Sequence, residues 1–172
     1  MITSKGYWIP DAVTADVVML IKHVSENPLV VLITRGQDPY KNLQAFPGGH
    51  MDENDETIED AAIREVFEET KIVIEKENLN LIGVYSKKDR DPRGRYIDIA
   101  YYVWIDYKDY RGCRPGDDAK RVGLDTLKHA IEFDNLAFDH KEILKDVQKM
   151  LYKKSSYTKF IDYVKQKIGG GN

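Results

Sequence analysis

The segment that most constrains this chain is a pair of glycines, Gly48-Gly49, followed after a short acidic loop by the stretch from Thr57 to Thr70. Thr57 with Asp60 three residues on forms a capping box in acidic form, which starts a helix. Ile58, Ala62 and Val66 recur on one face of that helix as its buried stripe. Another face carries Glu65, Glu68 and Glu69, which project together because side chains three and four positions apart are helical neighbours. Like charges at that spacing repel. The trio becomes useful when hard divalent cations stand before it, since Mg²⁺ prefers oxygen ligands and shares its shell with substrate phosphates. Gly48 and Gly49 allow main chain to approach the metal or the phosphates, and one of them would offer a carbonyl ligand. A merely solvated acidic helix would not need Phe46-Pro47-Gly48-Gly49-His50 ahead of it, nor Glu56 eight positions before Arg64.

The order Gly49, Glu56, Arg64-Glu65, Val66, one free position, then Glu68-Glu69 resembles the Nudix box, the signature of hydrolases of nucleoside diphosphates linked to another group. Two positions depart from it. Six residues, His50 to Asp55, separate Gly49 from Glu56 where the family has five, and the extra one falls in the loop. Lys71 stands where the family closes the helix with glycine, and a side chain at such a left-handed cap costs about 1 kcal/mol. That burdens the helix end more than the chemistry. The resemblance implies an α/β fold, the α/β/α sandwich of that family with a mixed sheet and a C-terminal helical segment. It also implies Mg²⁺, with Mn²⁺ as a substitute, held by Glu65, Glu68, Glu69 and a carbonyl of Gly48 or Gly49, with Arg64 orienting the carboxylates.

Further segments look like the ADP-ribose pyrophosphatase branch: Thr14-Ala15-Asp16-Val17-Val18, Ser86 with Arg90 to Arg95, Gly116-Asp117-Asp118-Ala119, and Leu136 to His140. This similarity runs from about Val13 to Val147. It implies a small-molecule nucleotide substrate, ADP-ribose or a related nucleoside diphosphate sugar, cleaved to AMP and a sugar phosphate, and it implies a homodimer. In that branch the general base often comes from a late loop, which points to Asp118 or Asp117. Asp118 is the first choice because the small Ala119 beside it leaves room to turn inward. Some relatives with the same signature are ADP-ribose-responsive transcription regulators, with a winged-helix domain after the Nudix fold and a decayed box. Here the glutamates are kept, and the roughly 25 residues after Val147 are too few for such a domain. A hydrolase of oxidised nucleoside triphosphates is a third reading, opposed by the arginine-rich loop.

In that loop Arg90, Arg93 and Arg95 are permanent cations, and a guanidinium fork binds phosphate through two parallel hydrogen bonds. Arg93, Arg95 and Arg35 are the candidates for the substrate phosphates. Adenine needs an aromatic face, for which Phe46 and Trp8 are available. His50 and His140 are left out as metal ligands, because carboxylates suit Mg²⁺ better than imidazole.

The chain has 172 residues, 42% hydrophobic and 32% charged, as expected of one globular domain spanning residues 1–172. A net charge of −3 argues against binding a nucleic-acid duplex. The first ten residues lack the apolar run of a signal or anchor, and no membrane association is expected. Cys113 is the lone cysteine, which fits a reducing cytoplasm, and no motif surrounds it to make it a nucleophile. β-Branched runs predict strands at Val13 to Lys22, Leu29 to Thr34, Leu79 to Tyr85 and Tyr96 to Tyr107, with a turn at Ser25 to Pro28. Loops are expected at Ser86 to Gly94 and Asp109 to Lys120. The C-terminal third reads as helix broken at Ser155-Ser156, before a disordered Gly169 to Asn172 tail.

Overall fold

The computed structural model describes residues 2, 4–23, 27–116, 119–133 and 135–168, with side chains as far as residue 155. Asp117, Asp118, the first half of the Ser25 to Pro28 turn (Ser25 and Glu26) and the tail from Gly169 lie outside the described residues. In chain order the elements are β1 (Ala12–Ile21), β2 (Leu29–Arg35), β3 (Gln44–Ala45), β4 (Gly48–His50), α1 (Ile58–Thr70), β5 (Asn80–Tyr85), β6 (Tyr96–Ile105), α2 (Tyr107–Tyr110), β7 (Ala119–Thr126), α3 (Leu127–Glu132) and α4 (His140–Ile168). One sheet holds all seven strands in the order β3-β2-β1-β6-β5, with β4 paired to β1 and β7 to β2. Among the described strand pairs only β1 and β6 run parallel, from Ala12 opposite Tyr96 to Ile21 opposite Ile105. The sheet is mixed.

β1 and β6 are covered on both faces, which is why their sequences are almost continuously apolar. Alternation sends Val17, Met19 and Ile21 to the layer of Ala61, Ala62 and Val66 from α1. Val18 and Leu20 go to the opposite layer, with Leu127 and Ala130 of α3 and Ile143, Leu144 and Val147 of α4. Helices on both faces of a mixed sheet give the expected α/β/α sandwich.

A fork in this sheet creates the cleft. β1 pairs with β4 over Thr14 to Asp16, but with β2 only at Leu20 and Ile21. Between these stretches Val17 donates its N–H to the Pro47 carbonyl (2.9 Å), and β2 swings away to pair with β3 and β7. The gap opens between β1, β2 and the glycine strand β4.

Several expectations need correcting. β6 stops at Ile105, because Asp106 and Asp109 form a capping box that starts α2. The strand β7 follows at Ala119, where loop was expected up to Lys120, and α3 comes directly after it. The helix α4 continues through Ser155 and Ser156 without a break. Serine costs a helix interior only a few tenths of a kcal/mol, which an established helix absorbs. Among the described residues, no helix is long and apolar enough to cross a membrane.

The α1 ends behave as their sequence requires. Thr57 Oγ1 accepts from Asp60 N–H (3.4 Å) while Asp60 Oδ2 accepts from Thr57 N–H (2.9 Å). Lys71 closes the helix at φ 61° and ψ 16°, its N–H donating to the Phe67 carbonyl. Its side chain recovers part of the left-handed cost by donating to the Glu68 carbonyl (3.1 Å) and lying over the Phe67 ring. Lys71→Gly is expected to raise stability by up to about 1 kcal/mol, a melting-temperature gain of roughly 2 to 4 °C in a scan. An unchanged or lower melting temperature would show that the lysine contacts outweigh the strain.

Candidate active site

The cleft at the fork has a volume of about 210 Å³. β1 contributes Asp16, β2 Arg35, the glycine strand Gly48 to His50, and α1 Glu65 and Glu69. Glycine is required at 48 by backbone crowding, and at 49 a side chain would displace the Glu65 carboxylate. A Cβ on Gly48 would overlap the Asp16 carboxylate and the Ala15 carbonyl, and one on Gly49 would overlap the Glu65 carboxylate. Gly48 also donates its N–H to Glu69 Oε2 (3.0 Å), so β4 and the helix are joined through the carboxylate itself.

The three box glutamates separate here. Glu65 and Glu69 line the cleft, whereas Glu68 is more than half exposed and meets Arg64 Nη1 at 3.3 Å. Arg64 is the hub of the preceding loop. It grips Asp55 with Nε and Nη2 (3.1 and 2.9 Å), donates to the His50 carbonyl (2.8 Å), and holds Glu65 Oε1 at 2.9 Å. Burial raises the Glu65 carboxyl above its ordinary range against the opposing pull of Arg64. Glu69 is pushed up to about 8 by burial first; the Gly48 N–H opposes this, and the charges of Glu65 and Asp16 add to it.

The sign of that shift has a measurable consequence for metal-free protein. The folded state holds a proton on Glu69 that the unfolded chain releases at an ordinary carboxyl pKa, so ionising it costs stability as pH rises from about 5 to about 8. In EDTA, the melting-temperature difference between Glu69→Gln and wild type is expected to widen in the variant's favour across that window. A gap that stays flat with pH would refute the buried, proton-holding Glu69.

Below the carboxylates lies a buried polar floor that the sequence reading did not assign. His140 Nδ1 accepts from Phe46 N–H (3.1 Å), which puts the ring proton on Nε2, 3.3 Å from Asp16 Oδ2. Phe46 and His140 also stack, with centroids 4.5 Å apart. Asp16 and Asp98 act as a pair. Burial alone would raise Asp16, but His140 and Arg90 outweigh it and hold the carboxyl below its usual range. Burial and the Asp16 charge push Asp98 well above its usual range. Asp98 Oδ2 has no hydrogen-bond partner as an ionised oxygen; protonated, it donates to Asp16. Arg90 closes the network with a bidentate bond to Asp139 (2.9 and 2.6 Å) and stands 3.5 Å from Asp98.

The arginines also divide. Arg35 and Arg93 line the cleft and both approach Phe138, at 4.9 and 5.5 Å from its ring centroid. Asp91 aims Arg93, accepting from its Nε and Nη2 (3.0 and 2.7 Å). Arg95 lies outside the cleft lining, over the Trp8 ring at 5.6 Å. Phe46 belongs to the cleft lining but is 1% exposed, its ring stacked on His140 in the floor. Cys113 is half-buried, and burial pushes its thiol up to about 11, which removes it as a nucleophile.

The loop before Asp117 and Asp118 is docked on α1. Arg114 and Gly116 donate their N–H groups to the Thr70 and Glu69 carbonyls (3.1 and 3.0 Å), and a Cβ on Gly116 would overlap the Glu68 carbonyl. β7 begins at Ala119, opposite Arg35. The two aspartates themselves lie outside the described residues. Asp16, Asp91, Arg90 and His140 were missed as a group, although a lone Asp amid the apolar run of β1 was a readable signal.

Among known proteins, residues 12–147 match the NUDIX domain family model. An ADP-ribose pyrophosphatase of Methanocaldococcus jannaschii is 37% identical over 123 residues, which are 72% of this chain and 68% of that protein. The ADPR-responsive transcriptional repressor NtrR of Acinetobacter baylyi is 32% identical over 142 residues, 81% of this chain but only 55% of its own length. The crystal structure of a MutT/nudix family protein from Enterococcus faecalis superposes with a TM-score of 0.75 at 32% identity, covering 86% of this chain and 64% of that one. With the family model spanning most of its length and the box glutamates set on the cleft wall and rim, the chain belongs to the NUDIX family of hydrolases.

Proposed function

We propose that this protein hydrolyses the pyrophosphate bond of ADP-ribose or a closely related nucleoside diphosphate sugar. The observation that carries this reading is one cleft lined both by the carboxylates of Glu65 and Glu69 and by the guanidiniums of Arg35 and Arg93. Among the described residues no three acidic, His or Cys side chains are gathered into a metal cluster. The donor chemistry nevertheless fits a hard divalent cation: every candidate ligand is an oxygen, and Glu65 and Glu69 are held side by side at an electrostatic cost. Glu65, Glu69 and a carbonyl of Gly48 or Gly49 would hold it, with Glu68 joining from the rim. When bound, Mg²⁺ or Mn²⁺ would neutralise the pyrophosphate and make water a better nucleophile.

The chain's own residues do the rest. Arg35 and Arg93 take the phosphate oxygens, and Arg64 fixes Glu65 and the loop from His50 to Asp55. Asp118 or Asp117 accepts the proton of the attacking water. A new phosphorus–oxygen bond to that water forms as the bridging bond breaks, releasing AMP and ribose phosphate. The reading includes a homodimer and a cytoplasmic location, which sedimentation and cell fractionation would check.

The repressor relative favours a second reading, a sensor that binds ADP-ribose without cleaving it. A panel of ADP-ribose, NADH, ADP-glucose, diadenosine polyphosphates and 8-oxo-dGTP, assayed for AMP or phosphate release with Mg²⁺ or Mn²⁺, separates the two. ADP-ribose is expected to turn over better than NADH, ADP-glucose and 8-oxo-dGTP. Tight ADP-ribose binding without AMP release would establish the sensor instead, and a duplex-binding assay would then be warranted.

Arg93→Ala is expected to weaken ADP-ribose hydrolysis by roughly 1 to 3 kcal/mol in kcat/KM while sparing a nucleoside triphosphate. An equal loss on both substrates would reduce Arg93 to a structural partner of Asp91.

A further inference from the structure

The cleft alone is too small for the substrate class just proposed. Its volume of about 210 Å³ falls below the roughly 300 to 1,000 Å³ usual for small-molecule sites. A second groove of about 340 Å³ adjoins it and shares Arg90 and Phe138 as a common wall. Phe138 holds this partition at φ 51°, a backbone conformation rare for an aromatic residue. Tyr40 stands at its edge, 4.9 Å from the Phe138 ring.

The lining of the second groove departs from the acidic balance of the chain. Lys87 and Lys88 enter from the β5–β6 loop, and Lys141 and Lys145 from the first turns of α4. Three carboxylates face them, Asp89, Asp139 and Glu142, but Asp139 is already neutralised by the bidentate Arg90. Cationic charge therefore exceeds anionic charge in a groove that opens beside the phosphate-binding wall of the cleft.

We propose that this lysine-lined groove is a subsite for an additional phosphate of the substrate, beyond the pyrophosphate that is cleaved. The preferred substrate is then a nucleoside diphosphate compound carrying either a phosphate monoester elsewhere or a longer phosphate chain. The proposal rests on the hydrolase reading for its catalytic arm and on direct binding for its other arm.

The test compares ADP-ribose with ADP-ribose 2′-phosphate, which carries the monoester, and with diadenosine tetraphosphate, which carries the longer chain. Each is assayed on wild type and on the Lys88→Ala/Lys145→Ala double variant. At least one phosphorylated compound is expected to exceed ADP-ribose by about tenfold in kcat/KM, the margin that one charge-assisted hydrogen bond provides. That margin is expected to vanish in the double variant, and to shrink between about 0.05 M and about 0.5 M salt. ADP-ribose turnover should be alike in the two proteins, and the compound that gains identifies the source of the extra phosphate. Calorimetric binding of the same three compounds runs in parallel. If none is cleaved but the phosphorylated ligand still binds tighter and loses that advantage in the double variant, the groove stands and the hydrolase reading falls. Equal affinity and equal turnover for all three, or an advantage that survives the double variant, would overturn the subsite.

Discussion

Glu69→Gln is expected to lower the rate of ADP-ribose hydrolysis by at least about 10²-fold with the fold intact, and EDTA to abolish the wild-type activity. The glutamine keeps the volume of the side chain and can still accept the Gly48 N–H (3.0 Å in the wild type), so β4 remains attached to α1. What it loses is the negative charge in a pocket where Glu65 and Asp16 already crowd one another. Glu68→Gln is the informative partner variant. Its side chain sits on the rim with Arg64, and a loss as large as that of Glu69→Gln would show that it turns inward when metal and substrate arrive. Native turnover of Glu69→Gln in Mg²⁺, with unchanged circular dichroism, would refute the assignment of the cation to this wall.

Asp118→Asn is expected to cost about 10² to 10⁴ in kcat with little change in substrate affinity, because a general base acts on the transition state. The described flanks are Gly116, whose N–H donates to the Glu69 carbonyl, and Ala119, which pairs with Arg35. Asp117→Asn is the control, with the smaller effect expected. If both Asn variants kept full activity between about pH 6 and pH 9, the base would have to be sought among the box glutamates, with Glu56 and Glu65 next in line.

The most legible parts of this protein were the local ones. Thr57, Asp60 and the left-handed Lys71 specify both ends of α1 within one turn of chain, and the structure shows both features. The β-branched runs of β1 and β2 were readable for the same reason. β3 and β4 have two and three residues, too few to show a period. β7 was lost because Lys120, Arg121 and Gly123 hide its alternation, and only its pairing along β2 makes it a strand. At the site, helical spacing grouped Glu65, Glu68 and Glu69 but could not say which way the helix would face. Packing against β4 turned Glu65 and Glu69 inward and left Glu68 outside. Beyond the lone Asp16 in β1, the floor was hard to read because its contacts are non-local: Thr14 bonds Asp98 and Arg90 bonds Asp139, partners 84 and 49 residues apart.

The bond from Phe46 N–H to His140 Nδ1 spans 94 residues and joins the strand entering the glycine loop to the first residue of the terminal helix. The box is therefore not a portable cassette. Grafting residues 46–70 onto another sheet would carry the acidic wall and leave behind the imidazole that holds Asp16 from beneath. A chimaera that restores function has to import the start of α4 as well.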